Sequence, residues 1–212
     1  MSHFCYKSHI TYANFFHKCN IFVTNVTFCF TFIDMTPFMA ACESGCPKTV
    51  QLLLDNAENV GLDLNAKMNN GITAFMIACQ IGNPNVVESL LKYGMYREIW
   101  YNATDSKGYT GFMFACYNGR DEAVKIILKY ADEKDIYFNA VNYRGRNGFM
   151  LACFKGQFET AKSILDQAEN LAINVSGQDM DGETALMLAF TRGHRQLAEL
   201  LYNYSKNPNN AM

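Results

Sequence analysis

Thr36-Pro37-Phe38-Met39-Ala40-Ala41-Cys42-Glu43-Ser44-Gly45 returns four more times along the chain. The copies read TAFMIACQIG (73–82), TGFMFACYNG (110–119), NGFMLACFKG (147–156) and TALMLAFTRG (184–193), always 37 residues apart. Gly45, Gly82, Gly119, Gly156 and Gly193 mark the step. Cys42, Cys79, Cys116 and Cys153 keep it, and so do Gly71, Gly108, Gly145 and Gly182. Three series with one period mean stacked supersecondary units rather than one central core.

Working outward from the decapeptide, an apolar segment follows each glycine: PKTVQLLL, PNVVESLL, DEAVKIIL, FETAKSIL and RQLAELL. Apolar residues recur in it at three- and four-residue spacing, as in Val86, Val87, Leu90 and Leu91, which predicts a helix buried along one stripe. The glycine suits a left-handed turn ending the helix before it. The connections read LDLNAKMNNG (62–71), IWYNATDSKG (99–108), IYFNAVNYRG (136–145) and INVSGQDMDG (173–182). A β-prone stretch in each leads into Asn, Asp, Ser and Gly, the residues that cap turns and tolerate positive φ. Each unit therefore reads helix, tight turn, helix, followed by a projecting hairpin-like turn.

The pattern resembles the ankyrin repeat. The family's T-P-L-H-x-A appears as Thr36-Pro37-Phe38-Met39-Ala40-Ala41 and in four looser copies; its later G-h-x-E-V-V-x-L-L-L is matched by 82–91 and 119–128, and N-A-K by Asn65-Ala66-Lys67. The resemblance covers about residues 36–204 and implies an all-α, ankyrin-type solenoid of stacked helix-turn-helix repeats. The boundaries fall at about 36–72, 73–109, 110–146, 147–183 and 184–204, after a non-repeat leader (1–35) and before a polar tail (205–212). Two departures stand out. The family's histidine in the first helix is Met39, Met76, Met113, Met150 and Met187 here, so the resemblance implies packing in place of its hydrogen bond to threonine. The family period is about 33 residues. The four extra residues follow the second helix and amount to about one more helical turn, which predicts a lengthened second helix.

Half the 212 residues are apolar, and Lys plus Arg (18) nearly balance Asp plus Glu (20). A net charge of −2 gives no nucleic-acid footprint over the whole chain. The periodic cysteines, each beside an alanine, occupy a small-residue position; Phe190 replaces them in the fifth copy. Stacked repeats put equivalent positions about 10 Å apart, beyond the roughly 7 Å reach of a disulfide and far beyond zinc ligation. These read as small buried hydrophobes, and unpaired thiols in number favour a reducing compartment. Cys5, His9, His17 and Cys19 match no common zinc spacing, and composition bias explains them better. No metal or cofactor is expected.

The leader carries no repeat. Its apolar run Ile21 to Ile33 has 13 residues and holds Thr24, Asn25, Thr27 and Thr31, too short and too polar for a spanning helix. A secretory signal is the sharper reading, but no A-x-A-like site follows. A poorly ordered segment, or a strand-like cover on the first repeat, is the plainer one. Trp100 sits between Ile99 and Tyr101 in a strand-like alternation and is expected to be buried against the second helix.

Phosphate loops, G-x-S-x-G and H-E-x-x-H are absent from the sequence. His194 follows a turn glycine at the start of a second helix, where a capping or packing role is expected. The Asp and Glu residues are expected on solvent-facing positions. Nothing supplies a nucleophile, base and orienting partner, so a non-catalytic role is expected. The resemblance implies binding on a concave face lined by the turns and the exposed side of the first helices. Mapped onto this chain, those places are Asn69, Ile72, Gln80 and Ile81; Ser106, Tyr109, Tyr117 and Asn118; Tyr143, Arg146, Phe154 and Lys155; Met180, Glu183, Thr191 and Arg192. Tyr and Arg dominate interface hot spots. Tyr109, Tyr117, Tyr143, Arg146, Phe154 and Lys155, with Gln80 and Ile81 beside them, are the candidate partner-binding residues. With Lys107, Arg120 and Arg144 nearby, such a groove suits an acidic or mixed acidic–apolar segment of another protein. Packing between turns beneath a solvated basic surface is the other reading. The expected role is a cytoplasmic protein–protein interaction scaffold. A regulatory or adaptor subunit, or an effector secreted or tethered through residues 1–35, is the alternative.

Overall fold

Five helix pairs follow one another along the chain. The computed structural model describes residues 34–93 and 98–206. It places α1 (Pro37–Ser44) and α2 (Pro47–Asp55), then α3 (Ala74–Ile81) and α4 (Pro84–Tyr93). Next come α5 (Gly111–Tyr117) and α6 (Asp121–Lys129) with a one-turn α7 (Ala131–Lys134), then α8 (Gly148–Lys155) and α9 (Phe158–Leu165), and last α10 (Ala185–Thr191) and α11 (Arg195–Lys206). The leader's cysteines and histidines, its apolar run up to Ile33 and the end of the polar tail lie outside the described residues. No helix among the described residues is long and apolar enough to cross a membrane.

Each first helix starts where the repeated Thr or Asn falls. The hydroxyls of Thr36, Thr73, Thr110 and Thr184 accept the N–H of Met39, Met76, Met113 and Met187, each at 3.3 Å. Asn147 does the same for Met150 at 2.9 Å, and its amide donates to the Asn174 carbonyl at 2.7 Å. A cap of this kind is worth about 1 kcal/mol. In α1 the Met39 sulfur also accepts the Thr36 N–H at 3.5 Å, so methionine there supplies a weak bond as well as packing. Met39, Met76, Met113 and Met150 are buried, whereas Met187 is half-exposed.

Neighbouring first helices lie close because their first residue is small. A Cβ added to Gly111 would come within 2.7 Å of the Phe75 ring and 3.2 Å of the Cys79 sulfur, and Gly148 stands in the same relation to Phe112 and Cys116. Cys42, Cys79, Cys116 and Cys153 are buried free thiols. Burial pushes Cys42 up to about 12 and the other three well above the ordinary thiol range, as for small hydrophobes. Aromatic rings then seal one repeat to the next connection: Phe75 meets Tyr101 edge-on at 5.0 Å and Phe112 meets Phe138 at 4.8 Å.

Two expectations need correction. The four extra residues do not lengthen the second helix. α2 ends at Asp55, α6 at Lys129 and α9 at Leu165, and the surplus forms a separate turn. That turn closes with Leu62 N–H to the Ala57 carbonyl and Ile173 N–H to the Ala168 carbonyl, both at 2.8 Å. Ala57, Ala131 and Ala168 are buried beneath it. At Asn56 the side-chain amide takes the Leu52 carbonyl at 2.9 Å, a local competitor that helps stop α2. Trp100 is the second correction, being 49% exposed. The alternation was real, but it is Ile99 and Tyr101 that face inward, so Trp100 must face out. Lys67 Nζ lies 6.0 Å from the centre of its ring.

The hairpin-like turns share one construction. Asp105 Oδ1 accepts the N–H of Lys107 and Tyr109, Asn142 Oδ1 those of Arg144 and Arg146, and Asp179 Oδ1 those of Asp181 and Glu183. Adjacent turns are linked by single backbone bonds: Ser106 N–H to Asn70, Tyr143 N–H to Lys107 and Met180 N–H to Arg144. Behind them runs a ladder of asparagines. The Asn65 amide donates to the Glu98 carbonyl (2.7 Å) and accepts from Trp100 N–H (2.9 Å). Asn102 bridges Asp135 and Tyr137 in the same way, and Asn139 bridges Ala172 and Asn174.

Candidate partner-binding surface

The turn glycines bring the ends of the first helices beside the hairpins, and one row of side chains runs across three repeats there. Tyr109, from a hairpin, meets Tyr117, at the end of α5, edge-on with ring centres 6.3 Å apart. It also rests against half-buried Phe114 at 5.5 Å. Burial is the main cause holding the Tyr109 phenol above its ordinary range. Lys155, at the end of α8, places Nζ 4.8 Å from the Tyr117 ring centre. Arg146 and Arg192 both lie over the Phe154 ring, 4.6 and 4.2 Å from its centre. Each such cation–ring pair is worth roughly 0.5–1 kcal/mol when exposed.

The candidate residues divide accordingly. Tyr109, Tyr117, Phe154 and Lys155 come together in this row. Tyr143 stands exposed at a hairpin tip, its ring against the Gly108 backbone. Gln80 and Ile81 are exposed at the end of α3, one repeat earlier.

Arg146 does not belong with them as a free cation. It is only 3% exposed, and its Nε donates to Asp179 Oδ2 at 2.7 Å while Nη2 donates to Glu183 Oε2 at 3.3 Å. Its charge is spent inside the protein, joining the third hairpin to the fourth. Asp179 likewise corrects the expectation that acidic residues face solvent. Burial alone would raise its carboxyl. The hydrogen bonds from Arg146 and from the backbone of Glu183 and Asp181 outweigh that and hold it below the usual carboxylate range. Asp179, Asp181 and Glu183 converge, but Arg146 already pairs with Asp179 and Glu183.

A second set of side chains escaped sequence reasoning altogether. The residue after each turn glycine reaches back to the preceding repeat. Asn83 Nδ2 donates to the Gly45 carbonyl (2.7 Å), Arg120 Nε to Gln80 (2.9 Å) and Gln157 Nε2 to Tyr117 (3.3 Å), and His194 Nε2 lies 3.2 Å from the Phe154 carbonyl oxygen. These are carbonyls at the ends of first helices, which have no intrahelical donor. The spacing of 37 was the available signal, but four different residue types hid it. Only His194 was singled out, for the start of its own second helix; its ring instead lies against the end of the preceding repeat's first helix.

Stacked helix pairs with paired turns define a solenoid repeat protein, stabilised by nearest neighbours and presenting extended surfaces. The family model for ankyrin repeats (3 copies) matches residues 38–140 and again 134–211. The chain belongs to the ankyrin-repeat family. None of the curated proteins compared with it matches.

Proposed function

We propose that this chain is a non-catalytic protein-interaction module of a reducing, cytoplasmic compartment, holding a segment of another protein against the hairpin side of its third to fifth repeats. The observation that carries the reading is the row Tyr109–Tyr117–Lys155 beside Phe154–Arg192, in which stiff aromatic faces alternate with cations. Such rings offer large contact area at small entropic cost, and cations seated over them are held in place to meet carboxylates. With Arg146 internally paired, Lys155, Arg192, Arg144 and Lys107 carry the positive charge, which fits an acidic or mixed acidic–apolar segment. The exposed free thiol of Cys46 fits a reducing environment.

The test is affinity capture followed by titration of the captured segment against variants. Tyr117→Ala with Lys155→Glu should weaken binding about 30-fold, the size of one hot spot. Binding of the acidic segment unchanged by this double substitution would exclude the surface.

A further inference from the structure

We propose that the end face formed by α10 and α11 is a homodimer interface, taking the same face of a second copy across a two-fold axis. Three positions there break the repeat. Phe190 stands where Cys42, Cys79, Cys116 and Cys153 are wholly buried, yet it is 76% exposed. Tyr202 replaces the buried Leu54, Leu91, Leu128 and Leu165 and is half-exposed, as is Met187. Gly193 has nothing within 4 Å of its Cβ position, whereas side chains of the following repeat cover Gly82, Gly119 and Gly156. These residues border an open, mostly apolar cleft of about 760 Å³. Exposed apolar surface of this kind marks an interaction site.

Another repeat of the same kind does not fit this face. Inside the stack, the Cys79 sulfur sits 3.2 Å from the Cβ position of Gly111. A phenyl ring in the place of that sulfur overruns the spacing.

The charges point to a second copy. Arg195 and Glu199 line the cleft four residues apart on α11, with buried Ala198 between them, and neither is ion-paired among the described residues. One cation and one anion on a single stripe are self-complementary when the face meets itself turned by a half-rotation. Arg195 then meets the second copy's Glu199, and Glu199 its Arg195, an isologous contact. The axis passes beside Ala198, where the small side chain allows α11 to approach its symmetry mate. The same register sets Tyr202 over the bare surface of Gly193.

Sedimentation velocity on the full chain tests this, from low micromolar to about 200 μM, a range that resolves weak self-association. A monomer–dimer equilibrium is expected. Phe190→Asp should abolish it, with an unchanged circular dichroism spectrum because the ring is exposed. Arg195→Glu and Glu199→Arg should each weaken it about tenfold, and the double exchange should restore it to within about threefold. A monomer at every concentration, whether the face is covered by residues 207–212 or kept for an unlike protein, overturns the proposal. So does a dimer that survives Phe190→Asp, or a double exchange no better than either single one.

Discussion

Gly82 carries two constraints at once. Its φ of +81° is a region that other residues adopt at a cost, and a Cβ there would fall 2.4–2.7 Å from the side chain of Arg120, including its Cβ. Gly193 has a similar φ of +79° and no neighbour. Alanine at Gly193 should therefore cost about 1 kcal/mol, the backbone penalty alone. Alanine at Gly82 should cost about 2–4 kcal/mol, because Arg120 must also leave the Gln80 carbonyl. Denaturant unfolding of the two variants gives the difference. Equal losses would mean that Arg120 contributes nothing as a cover.

At the scale of the element, the asparagine ladder substitutes a side-chain amide for a strand's backbone. Asn102 offers one acceptor and one donor to residues two apart in the next connection, the spacing that a β-partner would use. Asn102→Ala should cost about 1 kcal/mol, since water replaces part of the loss at a half-exposed site. Hydrogen exchange is the sharper readout. The Tyr137 amide should exchange faster, while those of Trp100 and Asn174, which use Asn65 and Asn139, should not change. An unaltered Tyr137 rate would remove the ladder's stabilising role. Helices and turns were legible in the sequence because they follow from short-range chemistry: Val86, Val87, Leu90 and Leu91 share one helical stripe, and Gly45 ends what came before. Arg146 and Asp179 were not legible, because their bond spans 33 residues and nothing local distinguishes Arg146 from the exposed Arg144 two positions away. Trp100 failed for a different reason: alternation reveals two faces of a strand without saying which one is buried.

Over the whole molecule, stability passes from neighbour to neighbour, so breaking one junction detaches an end instead of weakening the whole. The Arg146–Asp179 pair ties the hairpin that leads into α10 to the one that leads into α8, which gives that seam a pH dependence. The Asp179 carboxyl is depressed in the folded state. Its contribution is complete above the unfolded-state value of about 3.9 and is lost as pH falls through the lower folded value. Acid should therefore release α10 and α11 before the central repeats, seen as early exchange of the Leu188 and Leu197 amides below about pH 4. Asp179→Asn should bring about that release at neutral pH, at a cost of about 3 kcal/mol for leaving Arg146 half-paired. Simultaneous acid release of all repeats in the wild type would contradict it.

The four residues that reach back from one repeat to the last make the chain a sequence of keyed joints. Asn83 is short and finds the carbonyl of the glycine itself; Arg120, Gln157 and His194 are longer and take one two residues earlier. Each key is cut to its own lock. A shuffled chain, with the second and fourth units exchanged, would keep every helix, cap and hairpin sequence and still mismatch its seams. The order of the units is written into the joints, although the units themselves look interchangeable.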